Sequence, residues 1–169
     1  MKAGYAGGLI LKIKIICVGK IKEKYLIEAI SEYSKRLSRY TNLEIIELQD
    51  EKTPDNANNS LQELIKNKEG ERILKRIEKN DFCIALDIKG KMLSSAEFSS
   101  FFSEKMVLGI SSFCFIIGGS LGLSNDVLNN VDYKLSFSKM TFPHQLMRVV
   151  LLEQIYRSHR ILNNEPYHK

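Results

Sequence analysis

No stretch of this 169-residue chain approaches the roughly 20 consecutive apolar residues that a bilayer-spanning helix needs, and no charged, apolar, small-residue order marks a secretory leader. A soluble cytoplasmic protein with no membrane partner is expected. Cysteine is scarce: Cys17, Cys83 and Cys114 each sit inside an apolar strand-like run, with no C-x-x-C pair and no nearby histidine. That arrangement excludes a cysteine-held metal site and leaves reduced thiols packed in a core, so no metal is expected. Internal repeats are also missing, and the length is too short for two full domains. The dinucleotide fingerprint G-x-G-x-x-G is absent after the first strand-like run, where Gly19-Lys20 stands instead.

What is present begins with charge. A formal net charge of +5 and a pI near 9.0 suit a polyanionic partner such as RNA, although many soluble proteins are as basic without binding one. Residues 1–10, with Gly4, Gly7 and Gly8, read as an appended leader because regular patterning starts at Leu11 or Lys12, and the expected domain is 11–169.

The β-branched run Lys12 to Val18, closed by Gly19, predicts a strand buried on both faces. Between Lys24 and Tyr40, Leu26, Ile30, Tyr33 and Leu37 recur at helical spacing, with Lys35, Arg36 and Arg39 off that stripe. Strands are predicted at Leu43 to Leu48, Phe82 to Ile88, Phe113 to Ile117 and Tyr133 to Ser138. Helices are predicted from Leu61 to Lys79 with a break at Gly70, from a Ser94/Glu97 capping box to Met106, from Ser124 to Val131, and from Pro143 to Leu162. Lys89-Gly90-Lys91 is expected to turn the chain. Five alternations argue for an α/β fold: a parallel sheet with helices on both faces and ligands at the carboxyl ends of its strands. Periodicity alone predicts a flavodoxin-like strand order, because topology rules disfavour anything knotted.

Four segments carry candidate chemistry. Ile117-Gly118-Gly119-Ser120-Leu121-Gly122 joins a buried strand to a helix, so its backbone can approach a ligand where a side chain would collide; a tight turn with no ligand fits equally. The polar loop Leu135 to His144 ends in a proline-started helix and suits an adenine held by backbone groups, with His144 either functional or a capping or packing residue. On that last helix Arg148, Arg157 and Arg160 accompany Leu146, Val149, Val150, Leu152, Ile155 and Tyr156, an apolar surface wider than one core face requires, which suggests a dimer interface. The chain ends Pro166-Tyr167-His168-Lys169, which either frays or offers a stacking ring, a proton carrier and a phosphate contact.

Taken together, Val18-Gly19-Lys20, Leu86-Asp87 with Gly90-Lys91, Ile117-Gly118-Gly119 with Gly122-Leu123, Leu135-Ser136 through Thr141-Phe142-Pro143-His144, Arg148-Val149, Glu153 to Arg157 and Tyr167-His168 carry a resemblance. From Lys12 to Lys169 the chain resembles the ribosomal large-subunit pseudouridine N3-methyltransferase family of the SPOUT superfamily. The resemblance implies a carboxyl-terminal trefoil knot, a homodimer, and S-adenosylmethionine as cofactor, with N3 of a pseudouridine in the helix 69 region of 23S ribosomal RNA as target, in an assembled ribosome. It places cofactor contacts on Leu86, Gly118, Gly119, Phe137, Ser138, Lys139, Met140, Thr141 and Phe142. His168, as first candidate for the base, Tyr167 and Arg148 are expected at the reacting end, and Arg157 and Lys169 on RNA. The alternative is a noncatalytic α/β nucleotide-binding or RNA-binding module.

Overall fold

Strand and helix alternate from one end of the domain to the other in a computed structural model that describes residues 10–167. Residues 1–9 of the expected leader, and the candidates His168 and Lys169, lie outside the described residues. The order is β1 (Leu11–Val18), α1 (Lys24–Leu37), β2 (Thr41–Leu48), α2 (Asn59–Leu74), β3 (Phe82–Met92), α3 (Ser95–Val107), β4 (Ser112–Ile117), α4 (Asn125–Asn129), β5 (Tyr133–Ser136) and α5 (His144–Leu162).

Local chemistry sets the helix starts. The Ser94/Glu97 capping box forms in both directions, Ser94 N donating to Glu97 Oε2 at 2.7 Å and Glu97 N to Ser94 Oγ at 3.2 Å. Asn58 caps α2 by accepting from Leu61 N at 2.9 Å, so that helix begins before the expected Leu61. It also runs unbroken through Gly70 and stops at Leu74. A side chain at position 70 would run into Ser124 and Val127, so this glycine marks close packing of α2 on α4, not a helix break.

The five strands are all parallel in the order β2-β1-β4-β3-β5. This replaces the flavodoxin-like order 2-1-3-4-5. The two most completely buried strands, β1 and β4, occupy the middle, whereas β2, buried only at Thr41 and Leu48, lies at one edge and four-residue β5 forms the other. Ile13, Ile15, Phe113 and Phe115 pack against Leu37 of α1, Phe98 and Phe102 of α3, and Leu151, Leu152 and Ile155 of α5. On the opposite face Ile16, Val18, Cys114 and Ile116 meet Ile73 of α2 and Val127 of α4. Cys17, Cys83 and Cys114 are free and buried. A lysine interrupts this apolar interior at the amino end of the sheet: Lys14, 1% exposed, pairs with buried Asp81 at 2.9 Å, and Asp81 accepts from Ser112 Oγ at 2.7 Å.

β3 departs from the expected turn at 89–91. Leu135 of β5 pairs with both Leu86 and Lys91, so residues 87–90 leave the ladder and β3 resumes to Met92. A Cβ on Gly90 would lie 2.7 Å from the backbone of Lys134 and Leu135, which is why only glycine lets β5 pass there.

His159 is the other buried polar group of consequence. It is 2% exposed, stacks on Tyr40 at 5.2 Å with 8° between planes, and its Nδ1 has no partner among the described residues. Burial pushes its pKa down to about 4. The unfolded chain therefore takes up a proton near pH 6.5 that the folded one refuses until about pH 4, and stability falls as pH drops through that window. The expected loss is on the order of 3 kcal/mol. Thermal melts of wild type and His159→Phe between pH 7.5 and 4.5 should show a clearly shallower acid decline in the variant; parallel declines would remove His159 as the cause.

Candidate active site

An open cleft of about 790 Å³ lies at the carboxyl ends of β3, β4 and β5, walled by residues 86–89, 117–123, 135–138 and 140–144 together with Lys66, Asn125, Leu128 and Met147. Two backbone turns shape it. Gly119 and Gly122 bridge in antiparallel fashion, Gly122 N donating to Gly119 O at 3.1 Å, and Gly122 sits at φ +82°, which favours glycine. Opposite, Ser136 Oγ donates to Ser138 O at 3.0 Å and Ser138 Oγ accepts from Met140 N at 2.9 Å, ordering the loop before α5. Met140 and Phe142 on its lip are 72% and 42% exposed, an apolar rim open to a ligand or a second surface.

The amino end of α5 is held against the ends of β1 and β2 by one side chain. Arg148 is 1% exposed; its two terminal nitrogens donate to Glu47 Oε1 at 2.8 Å, Val18 O at 2.9 Å and Gly19 O at 2.6 Å. Around Gly19, at φ +88°, His144, Arg148 and Asp50 converge: Nε2, Nη2 and Cγ lie 3.8, 3.9 and 3.9 Å from where a Cβ would stand. Burial and the nearby Arg148 charge hold the His144 pKa below its usual value, against the opposing pull of Asp50.

A cleft at strand ends, floored by glycine backbone, is a cofactor cradle of no particular chemistry until relatives are compared. The sequence profile described as "Predicted SPOUT methyltransferase" matches residues 11–168. This chain belongs to the SPOUT methyltransferase family. It is 62% identical over 159 residues to a Clostridium kluyveri protein named "Ribosomal RNA large subunit methyltransferase H", covering 94% of this chain and 100% of that one. A protein of the same name from Clostridium botulinum (strain Alaska E43 / Type E3) is 63% identical with the same coverage. Among solved structures, "a probable methylase family protein from Haemophilus influenzae Rd KW20" shares the fold with a TM-score of 0.53 at 13% identity, covering 93% of this chain and 70% of that chain.

In this SPOUT chain Leu86, Gly118, Gly119, Phe137, Ser138, Met140, Thr141 and Phe142 all border the cleft, while Lys139, exposed in the same loop, is not on its wall. Other candidates are placed elsewhere. Arg148 is buried and committed to the clasp between α5 and the two strands, which leaves its guanidinium no open side toward a substrate. Tyr167 is docked on α5: its hydroxyl donates to Glu153 Oε1 at 3.1 Å, its ring meets Tyr156 edge-on at 5.1 Å, and Arg157 lies 4.7 Å over its face. Burial, then the Glu153 charge, pushes its pKa up to about 12. Arg157 also pairs with Glu153 at 2.6 Å. From Met147, the last helical residue on the cleft, to Tyr156 the helix climbs about 13 Å, so Tyr167 and the cleft lie apart within the chain.

Several wall residues were not singled out from sequence: Asp87 as the one carboxylate on the wall, Lys66 from a helix otherwise read as merely charged, and Asn125. Asp87 stood beside Leu86 in the quoted motif and was the one detectable signal. The collision at Gly118 also differs from expectation. A Cβ there would meet Gly122 C at 2.7 Å and O at 2.8 Å, the loop's own backbone, before any ligand. Gly118→Ala should therefore lower stability by about 1–3 kcal/mol. At Gly119 the added carbon would face the Glu69 carboxylate at 3.1 Å and Val18 at 3.2 Å, side chains with some room to yield, so Gly119→Ala should cost less. Melting curves and calorimetry on both variants decide it; equal, small effects would mean that the loop reopens freely.

Proposed function

We propose that this chain is an S-adenosylmethionine-dependent methyltransferase of large-subunit ribosomal RNA, transferring a methyl group to N3 of a pseudouridine in the helix 69 region of 23S RNA. The observation that carries this is the coincidence of a glycine-floored cleft with identity above 60% to proteins named ribosomal RNA large subunit methyltransferase H along their whole length. The residues fit the cofactor. Leu86, Leu123, Leu135 and Phe137 offer apolar surface for a flat base, the 118–122 and 136–140 turns offer backbone groups, and Asp87 and Asn125 offer polar anchors. The volume suits a nucleoside-sized ligand. When bound, S-adenosylmethionine supplies an electrophilic methyl group on a sulfonium sulfur.

The chain's own task is then to orient an RNA base, exclude water and take up the N3 proton. We place Arg148 as a positioning residue that fixes α5 against β1 and β2, because the side chain is buried and both terminal nitrogens already donate to Glu47, Val18 O and Gly19 O. Passage of β5 backbone against Gly90, with Leu135 paired on both sides of the 87–90 excursion, supports a trefoil knot in this half of the chain. The distance between the cleft and Tyr167 supports a homodimer in which the tail of one subunit, with His168 and Lys169, serves the cleft of its partner. Exposed Met140, Phe142 and Leu146 near the cleft supply apolar surface for such a contact.

Ribosomal RNA from cells lacking the protein, analysed by mass mapping, should lack one methyl group on a helix 69 pseudouridine, and purified protein should restore it on ribosomes. An unmodified profile identical to wild type would overturn the assignment in favour of a noncatalytic RNA-binding module.

Tail substitutions refine it. Tyr167 is packed, so its removal costs stability by about 1 kcal/mol or more and confounds a three-residue truncation. His168→Ala should instead slow single turnover about 10²-fold if it handles the proton, while Lys169→Ala should weaken RNA binding and flatten its salt dependence. Full activity in both variants would leave the tail no part in the reaction.

A further inference from the structure

We propose that His144, held beside Asp50 and Arg148 at the Gly19 turn, is the proton acceptor that faces the cleft. The inference rests on the methyltransferase assignment above and concerns a different residue from the tail. His144 opens α5 directly after Pro143, and its Nε2 lies 3.8 Å from where a Cβ on Gly19 would stand. It is the only histidine on the cleft wall among the described residues, since His159 is sealed in the core. Gly19 makes the space: it bears no side chain and turns at φ +88°, letting His144, Arg148 and Asp50 meet where β1 ends.

The charged groups facing His144 are Asp50, following β2, and Arg148 on its own helix, with Glu47 of β2 pairing that arginine at 2.8 Å. Burial and Arg148 keep the imidazole neutral at physiological pH, which is the form that can accept a proton, while Asp50 favours the imidazolium once it forms. In the step itself the N3–H bond of the pseudouridine breaks and the proton passes to a ring nitrogen of His144; the electron pair left on nitrogen forms the new N–C bond as the methyl carbon's bond to the sulfonium sulfur breaks, its electron pair staying on sulfur in the departing neutral thioether. The imidazolium later returns that proton to water.

The test uses full-length protein and ribosomal substrate, with histidine NMR titration beside single-turnover kinetics. The chain has three histidines, His144, His159 and His168, so His144→Gln assigns the resonance by its loss. The expected results are a wild-type His144 resonance that titrates below about pH 6.5 and shifts on adding S-adenosylmethionine, and a wild-type rate that declines over the same pH range. His144→Gln should slow turnover about 10²-fold and abolish that acid decline. Asp50 is exposed, so Asp50→Asn should fold normally; loss of its charge should move both the resonance midpoint and the acid decline to lower pH together. A His144→Gln rate within about twofold of wild type, or an acid decline that ignores Asp50→Asn while the resonance moves, overturns the role of His144 alone. No methylation by wild type overturns the RNA assignment and this inference with it.

Discussion

A buried guanidinium with two carbonyls and one carboxylate holds the functional end of this protein together. Arg148 reaches from α5 to Val18 O, Gly19 O and Glu47, and so fixes a long helix against the ends of the central and edge strands. Without it the amino end of α5 would rest on a polar loop and a proline cap alone. Because the guanidinium is almost wholly removed from solvent, losing Glu47 would leave a buried cation facing two carbonyls alone, a penalty on the order of several kcal/mol, whereas losing Arg148 would leave a Glu47 carboxylate that water still reaches. His144, one helical turn earlier, inherits its position from this anchor, and the 136–143 loop inherits its far end. Lys14 with Asp81 does the equivalent work at the amino ends of β1, β3 and β4.

Between those anchors the cleft is built mostly by backbone approaching backbone. Gly90 against β5 and Gly118 against Gly122 are places where one added carbon would meet main chain, whereas at Gly119 it would meet the Glu69 and Val18 side chains. Such a site tolerates little relaxation, since a displaced main chain drags its hydrogen bonds with it. Glu69 illustrates the cost. It is a buried carboxylate, its pKa raised first by desolvation, and it accepts from Glu51 N at 2.9 Å while its other edge lies near Gly119. The segment after β2 and the glycine loop are therefore braced by one polar contact from α2.

Much of the architecture was legible in residue order because each element carries a local signal. β-branched runs gave the strands, Ser94 and Ser124 gave two helix starts, and the glycine loop stood where a strand meets a helix. Strand order was not legible from periodicity, since β1 and β4 attract one another through burial on both faces, a property of the whole sheet. The 87–90 excursion was equally hidden: Lys-Gly-Lys reads as a turn, and only β5 passing beside Gly90 turns it into a gap in a continued strand. Resemblance supplied the cleft residues that local pattern could not join, because 86–89, 117–123 and 135–144 are far apart in sequence and meet solely through the parallel ladder. Where local chemistry misled was in judging an arginine by its type. Arg148, expected at the reacting end, is buried with both terminal nitrogens donating to Glu47 and two carbonyls.

That distinction between cations that fasten and cations that face outward changes what the net charge of +5 means. Arg36 pairs with Glu32, Arg72 with Glu51, Arg148 with Glu47, Arg157 with Glu153 and Arg160 with Glu165, so these planar forks are spent on internal geometry. Lys20, Lys89 and Lys139, by contrast, are exposed and form no ion pair among the described residues. Lys89 lies on the cleft wall, Lys20 directly follows the Gly19 turn, and Lys139 lies in the loop before α5. Three exposed lysines thus stand at or beside the mouth of the cleft, with others such as Lys75, Lys79 and Lys134 exposed elsewhere on the surface. On the proposed function these lysines are placed to meet phosphate at the opening, while the glycine turns and the Arg148 clasp shape the interior that a base would enter.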